Sequence, residues 1–145
     1  MLMLAPRSTC ACTALRKASR AISRAYDEAL VGEGITTNQF SLLRTLARHG
    51  ATPLSRLADR MVMERTSLYR MLAPLETRGL VSVAEGPGKA RIADLTDAGR
   101  AALASADDAW SAAQARFVGA LGAAEWTQLE ALLTRATRIA EEIAA

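Results

Sequence analysis

Residues 54–81 read LSRLADRMVMERTSLYRMLAPLETRGLV, and how they fold decides the rest of the chain. Leu54, Leu57, Ala58 and Met61 recur at the three-and-four spacing of one helix face. Just before them, Thr52 is placed to cap, and Pro53 suits a first helical position, where a missing N–H costs nothing. A second stripe, Leu68, Met71, Leu72 and Leu75, predicts another helix from about Glu64 to Arg78, stopped by Gly79. Pro74 inside it removes one backbone donor and predicts a bend. Only about three residues separate the two helices, which is helix-turn-helix spacing. The other face of the second helix carries Arg65, Thr66, Ser67, Tyr69 and Arg70. A solvated face ordinarily mixes Glu with Lys. This one offers two guanidiniums, two hydroxyls and a phenol.

The flanking segments extend the helical pattern. Upstream, Thr36 and Gln39 have capping-box spacing, Phe40, Leu43, Leu46 and Ala47 face inward, and Gly50 is the stop. Before that, Leu15, Ala18, Ile22, Ala25, Tyr26 and Ala29 predict a long helix over roughly 13–31, ended by Gly32 and Gly34. Downstream, LVSVAEGPGKARIADLT (80–96) reads as strand, Gly-Pro-Gly turn, strand. A two-stranded hairpin is marginal alone, so it must lean on the helices.

From Thr96 the chain is helical again. Leu103, Ala106, Trp110, Ala113, Phe117 and Leu121 form one stripe, Gly122 interrupts it, and Glu125 is placed to help cap a restart. Trp126, Leu129, Leu133, Ala136, Ala140 and Ile143 form the next. At about 25 residues and 1.5 Å each, the first of this pair is nearly 40 Å long. Such stripes at both chain ends predict a partner, most simply a second copy about a two-fold axis. A monomeric bundle with its ends packed together is the alternative.

The chain has 145 residues, the size of one domain, and half of them are apolar, so a core is easily built. Aromatic residues make up only 4%, which suits close-packed helices better than a β-sandwich. No apolar run approaches the ~18 residues of a membrane span. The start, MLMLAPRST, is too short an apolar stretch for a secretory signal. Residues 1–26 hold Arg and Ser without acid, as transit peptides do, but the helical period runs on through Asp27 and Glu28 to Leu30. The expectation is a soluble cytoplasmic protein. Residues 1–91 carry a net +7 and residues 92–145 a net −4. A polyanion partner for the first part explains this asymmetry; solvated Arg keeping an Ala-rich protein soluble explains it equally.

In its order of parts, and above all in residues 54–81 and in ADLTDAGRAAL (93–103), the chain resembles the MarR family of bacterial winged helix-turn-helix regulators. Leu95, Thr96 and Gly99 match the family's L-T-x-x-G junction, and Met63, Glu64, Arg65, Thr66, Ser67 and Leu68 match the M-[DE]-R-T-[TS]-L opening of one branch's recognition helix. The resemblance covers nearly the whole length. It implies a mainly α fold: a winged helix-turn-helix with a two-stranded hairpin wing and long N- and C-terminal dimerisation helices. Residues 1–145 would form one MarR-like domain, 36–95 its DNA-binding lobe, and 10–32 and 97–145 its dimerisation helices.

It further implies a homodimeric, sequence-specific repressor on a pseudo-palindromic operator in double-stranded DNA, released by a small aromatic or phenolic ligand. The helix at 64–78 would enter the major groove and the Gly-Pro-Gly hairpin the adjacent minor groove. Arg65 and Arg70 can donate bidentately to guanine or phosphate. Thr66 and Ser67 can bond phosphates at the helix N-terminus, and Tyr69 can stack on the backbone or meet a thymine methyl. Ser55 is a further phosphate contact, and Lys89 and Arg91 supply charge on the wing. Family wings often carry Asp-x-Arg at the tip; here those positions read Pro87, Gly88, Lys89. The bracing acid is absent and Lys lacks the planar fork of Arg, which implies weaker readout of groove width, with Arg91 as the compensating cation.

The family's effector pocket would be lined by Arg16, Arg20, Phe40, Leu43, Leu46 and Trp110, though the apolar members read more readily as plain core and the two arginines equally as surface residues. Cys10 and Cys12 offer a second sensing chemistry. A thiol at a helix start beside Arg16 and Lys17 is an activated one, so a redox-sensing repressor is the alternative, against inert thiols in a reducing cytosol. Two cysteines and the single His49 do not make a tetrahedral metal site. No cofactor and no metal is expected. The chain has no nucleophile elbow, no Gly-rich phosphate loop and no carboxylate–histidine set, which argues against an enzyme. A helical adaptor without DNA-binding would also use long apolar stripes, but would not need an Arg- and hydroxyl-bearing helix followed by a basic hairpin.

Overall fold

The computed structural model describes residues 9–145; the opening stretch MLMLAPRS lies outside the described residues. They form two compact units, one running to Ala109 and the other spanning Trp110–Ala145. In the first unit, helix α1 (Ala11–Leu30) ends in a short 3-10 turn at Val31–Glu33 and a left-handed Gly34. Helix α2 (Thr37–His49) begins with the expected capping box. Thr36 Oγ1 accepts from the Gln39 N–H at 3.2 Å, and Gln39 Oε1 accepts from the Thr36 N–H at 3.0 Å.

Strand β1 (Thr52–Pro53) leads straight into helix α3 (Leu54–Met61), which a sharp turn joins to helix α4 (Arg65–Thr77). Strands β2 (Val81–Glu85) and β3 (Arg91–Leu95) make the hairpin, and helix α5 (Asp97–Leu121) follows. The hairpin pairs Val81 with Leu95 through to Glu85 with Arg91.

The sheet is wider than the sequence reading. β1 pairs antiparallel with the outer side of β3, Thr52 opposite Ala93, giving the order β1-β3-β2. Thr52 therefore does not cap α3. Its side chain is 2% exposed and its hydroxyl donates to the Gly50 carbonyl at 2.8 Å, while Pro53 stands at the N-cap. An edge strand tolerates Pro because no ladder partner needs its N–H. Pro74 lies within α4, which continues past it to Thr77.

The inner faces meet in one core. Leu30, Leu42, Leu43, Leu46, Leu57, Leu68, Leu75 and Val81 are essentially sealed from solvent. Each such side chain stabilises the fold by about 1.5–3 kcal/mol. The core grips α4 through Leu68, Leu72 and Leu75, so its Arg65, Thr66, Ser67, Tyr69 and Arg70 point outward.

The turn before α4 carries strain. Val62 adopts the left-handed conformation (φ 51°, ψ 49°), and its side chain is 58% exposed. A β-branched residue there costs about 1–2 kcal/mol, and glycine's extra freedom in the unfolded chain offsets part of the relief. Val62→Gly is expected to raise stability by about 0.5–1 kcal/mol in urea unfolding. A loss would show that the valine side chain packs usefully.

The second unit holds the end of α5 and helix α6 (Ala123–Ala144). Phe117 and Trp126 meet edge-to-face, with ring centroids 6.0 Å apart. Gly122 joins the helices at φ 108° with the Glu125 side chain beside it, and the Gly122 N–H donates to the Val118 carbonyl at 2.8 Å. Within one chain α6 has no buried residue, and Leu132 (60%), Ile139 (42%) and Ile143 (80%) are exposed.

Candidate nucleic-acid interface

Two constraints aim α4. Its apolar stripe is buried, and its C-terminal end is stitched to the start of α5. There the Thr96 hydroxyl accepts from the Gly99 N–H at 3.0 Å and donates to the Gly79 carbonyl at 2.6 Å, while the Thr96 N–H donates to the Leu80 carbonyl at 3.2 Å. Thr96 thus caps one helix and closes another, which gives the L-T-x-x-G segment its physical meaning. Gly99 is needed because the helix backbone lies against the Leu80 carbonyl.

All eight residues read from the sequence as DNA contacts are exposed: Ser55 on the first turn of α3, Arg65, Thr66, Ser67, Tyr69 and Arg70 on α4, and Lys89 and Arg91 on the hairpin. Thr66 and Arg70 are four apart and share a face, as do Arg65 and Tyr69. The guanidiniums of Arg65 and Arg70 have no hydrogen-bond or ion-pair partner among the described residues, so their donors are uncommitted. Glu64 stands at the N-cap without a side-chain cap, leaving first-turn N–H groups open to an anion.

The hairpin lies beside α4. Tyr69, Leu72, Ala73 and Glu76 of α4, with Leu54, Val83 and Arg91, line a cleft of about 270 Å³, so Tyr69 and Arg91 belong to one surface. At the hairpin tip Gly88 (φ 67°) and Lys89 (φ 59°) are both left-handed, and Lys89 is exposed.

The proposed effector residues separate into two sets. Arg16 and Arg20 are exposed on α1, whereas Phe40, Leu43 and Leu46 are buried core. Trp110 is half-buried at the start of the second unit. Cys10 and Cys12 are both exposed and free, Cys10 at the N-cap of α1. The Thr13 hydroxyl, then its backbone N–H, hold the Cys10 pKa below the ordinary thiol value. Among the described residues no group of three His, Cys, Asp or Glu side chains could hold a metal, and no helix is long and apolar enough to cross a membrane.

A groove-sized helix with uncommitted cations on its outer face, flanked by a basic hairpin, defines a winged helix-turn-helix DNA-binding regulator. Residues 35–92 match the MarR family model. The chain is 35% identical to the Mycobacterium tuberculosis transcriptional regulator MosR, solved in complex with DNA (92% of this chain, 98% of that one, TM-score 0.85). It is 27% identical to a MarR family regulator from Streptomyces coelicolor (91% and 93%, TM-score 0.76). It is 20% identical to Bordetella bronchiseptica BpsR, described with 6-hydroxynicotinic acid regulating its DNA binding (92% and 97%, TM-score 0.80); there the likeness is one of fold. No curated protein sequence matches. The chain belongs to the MarR family of transcriptional regulators, whose members bind DNA and are not enzymes.

Proposed function

We propose that the chain is a cytoplasmic, homodimeric repressor that reads a pseudo-palindromic operator and leaves it when a small aromatic acid or phenol binds. The observation that carries the DNA half is the outward Arg65 and Arg70, without a partner among the described residues, on a helix held by its opposite face. In this reading residues 36–95 are the DNA-binding lobe, and the helices at 10–32 and 97–145 pair two copies. The exposed Leu132, Ile139 and Ile143 favour that pairing, because apolar side chains spaced along one helix are costly to leave in water. Two copies would set two α4 helices about one DNA turn apart. Arg16 and Arg20, four apart on one face of α1, suit a ligand carboxylate.

The test is selection of duplexes from a random library by the purified protein, followed by titration with salt and with hydroxybenzoic acids. Binding to the selected duplex should fall steeply with salt, as counterion release demands. An adaptor would select nothing. Sedimentation should show a dimer.

The pair Cys10 and Cys12 supports a second reading, regulation by oxidation. The Cys10 thiolate would attack the terminal oxygen of a hydroperoxide, the O–O bond would break to leave a sulfenic acid on Cys10, and the departing alkoxide would take a proton from water. Cys12 would then attack the resulting sulfenic sulfur, releasing water and closing a disulfide. Residues two apart on a helix do not face each other, so closure would unwind the first turn of α1. Because its pKa is lowered, Cys10 is expected to be alkylated by iodoacetamide at lower pH than an ordinary thiol, and cumene hydroperoxide should weaken duplex binding. If Cys10→Ser leaves peroxide sensitivity unchanged, this reading is lost.

A further inference from the structure

The C-terminal end of α4 is held from a second side, by a contact the family motifs do not mark. The Arg78 guanidinium donates from Nη1 to the Gly34 carbonyl at 2.7 Å, across 44 positions of sequence. Its other terminal nitrogen packs beside Gly34 itself, where a side chain would stand 3.6 Å away. Gly34 is left-handed (φ 68°) and occupies the turn between α1 and α2.

Further bonds brace that turn and its flanks. Glu33 accepts from the Ser105 hydroxyl of α5 at 2.7 Å. Asp27, on the last turns of α1, accepts from the Thr37 N–H at the start of α2 at 2.6 Å. Residues 27–37 therefore join α1, α2 and α5, and Arg78 connects this junction to α4. The bond is charge-assisted, and it acts at the C-terminal end of a helix whose first half carries Arg65 and Arg70.

We propose that Arg78 is a positioning residue, which sets the placement of α4 against DNA through the α1–α2 turn and so couples that turn to operator binding. The inference rests on the reading of α4 as the groove helix. A coupling between two sites is reciprocal: if the turn biases α4, then DNA on α4 must order the turn.

Amide hydrogen exchange of the full-length protein, with and without a 30-base-pair duplex selected by the wild type, tests this. In the wild type, duplex should slow exchange in residues 65–72 and also in residues 32–37. In Arg78→Ala at saturating duplex, protection of 65–72 should remain and that of 32–37 should disappear. Affinity should fall roughly tenfold, within the usual range of coupling effects. The slope of affinity against salt should not change, because no phosphate contact is lost. Arg78→Lys, which keeps a cationic donor, should restore part of both effects.

Three results overturn the proposal. Protection of 32–37 that persists in Arg78→Ala breaks the link. A salt slope lowered by about one charge makes Arg78 a phosphate contact instead. Absence of protection over 65–72 in the wild type removes the groove helix itself, and with it the reading on which the inference stands.

Discussion

Replacing Arg65 and Arg70 together by alanine should weaken binding to the selected duplex by roughly a thousandfold while leaving the fold intact. Each bidentate arginine–guanine pair contributes about 1–3 kcal/mol of discrimination, and the middle of that range for two pairs is about 4 kcal/mol. The stability of the protein should change by no more than about 0.5 kcal/mol, since both side chains are exposed and bond nothing among the described residues. Fluorescence anisotropy against the selected duplex and a scrambled one separates the roles. Base contacts predict that discrimination between the two collapses. Phosphate contacts predict equal losses on both duplexes and a salt slope reduced by about two charges. Affinity that survives the double substitution would remove α4 from the interface.

A comparable loss, of stability rather than affinity, is expected from a single methyl group at Gly99. An added Cβ would run into the carbonyl oxygen of Leu80 and come 2.7 Å from Cδ1 of Leu95. The backbone cannot retreat, because the Gly99 N–H is held by the Thr96 hydroxyl, which in turn is bonded to Gly79. Gly99→Ala should therefore cost about 3 kcal/mol in chemical denaturation. Gly119 lies on the same helix with nothing within 4 Å of its added Cβ. Gly119→Ala should stabilise by about 0.5–1 kcal/mol, because alanine is the better helix former. Two glycine substitutions on one helix with opposite signs would isolate the Leu80 contact as the cause. A neutral Gly99→Ala would show that α5 and the α4–β2 junction are not packed as described.

Sequence alone determined the helices and the hairpin, because those signals are local. The three-and-four stripes set which face of α4 is buried, and what remained outward was the set of DNA-contacting candidates. The Thr36–Gln39 capping box was legible for the same reason, since its partners stand three residues apart. Only the tertiary structure decided that Thr52 joins a sheet rather than capping a helix, because its partner Ala93 comes from the far side of the hairpin. Likewise Arg78 was drawn to Gly34, 44 positions away. Periodicity records which way a side chain points along its own element. It holds no record of what a distant element will bring against it, and that is settled only when the core closes.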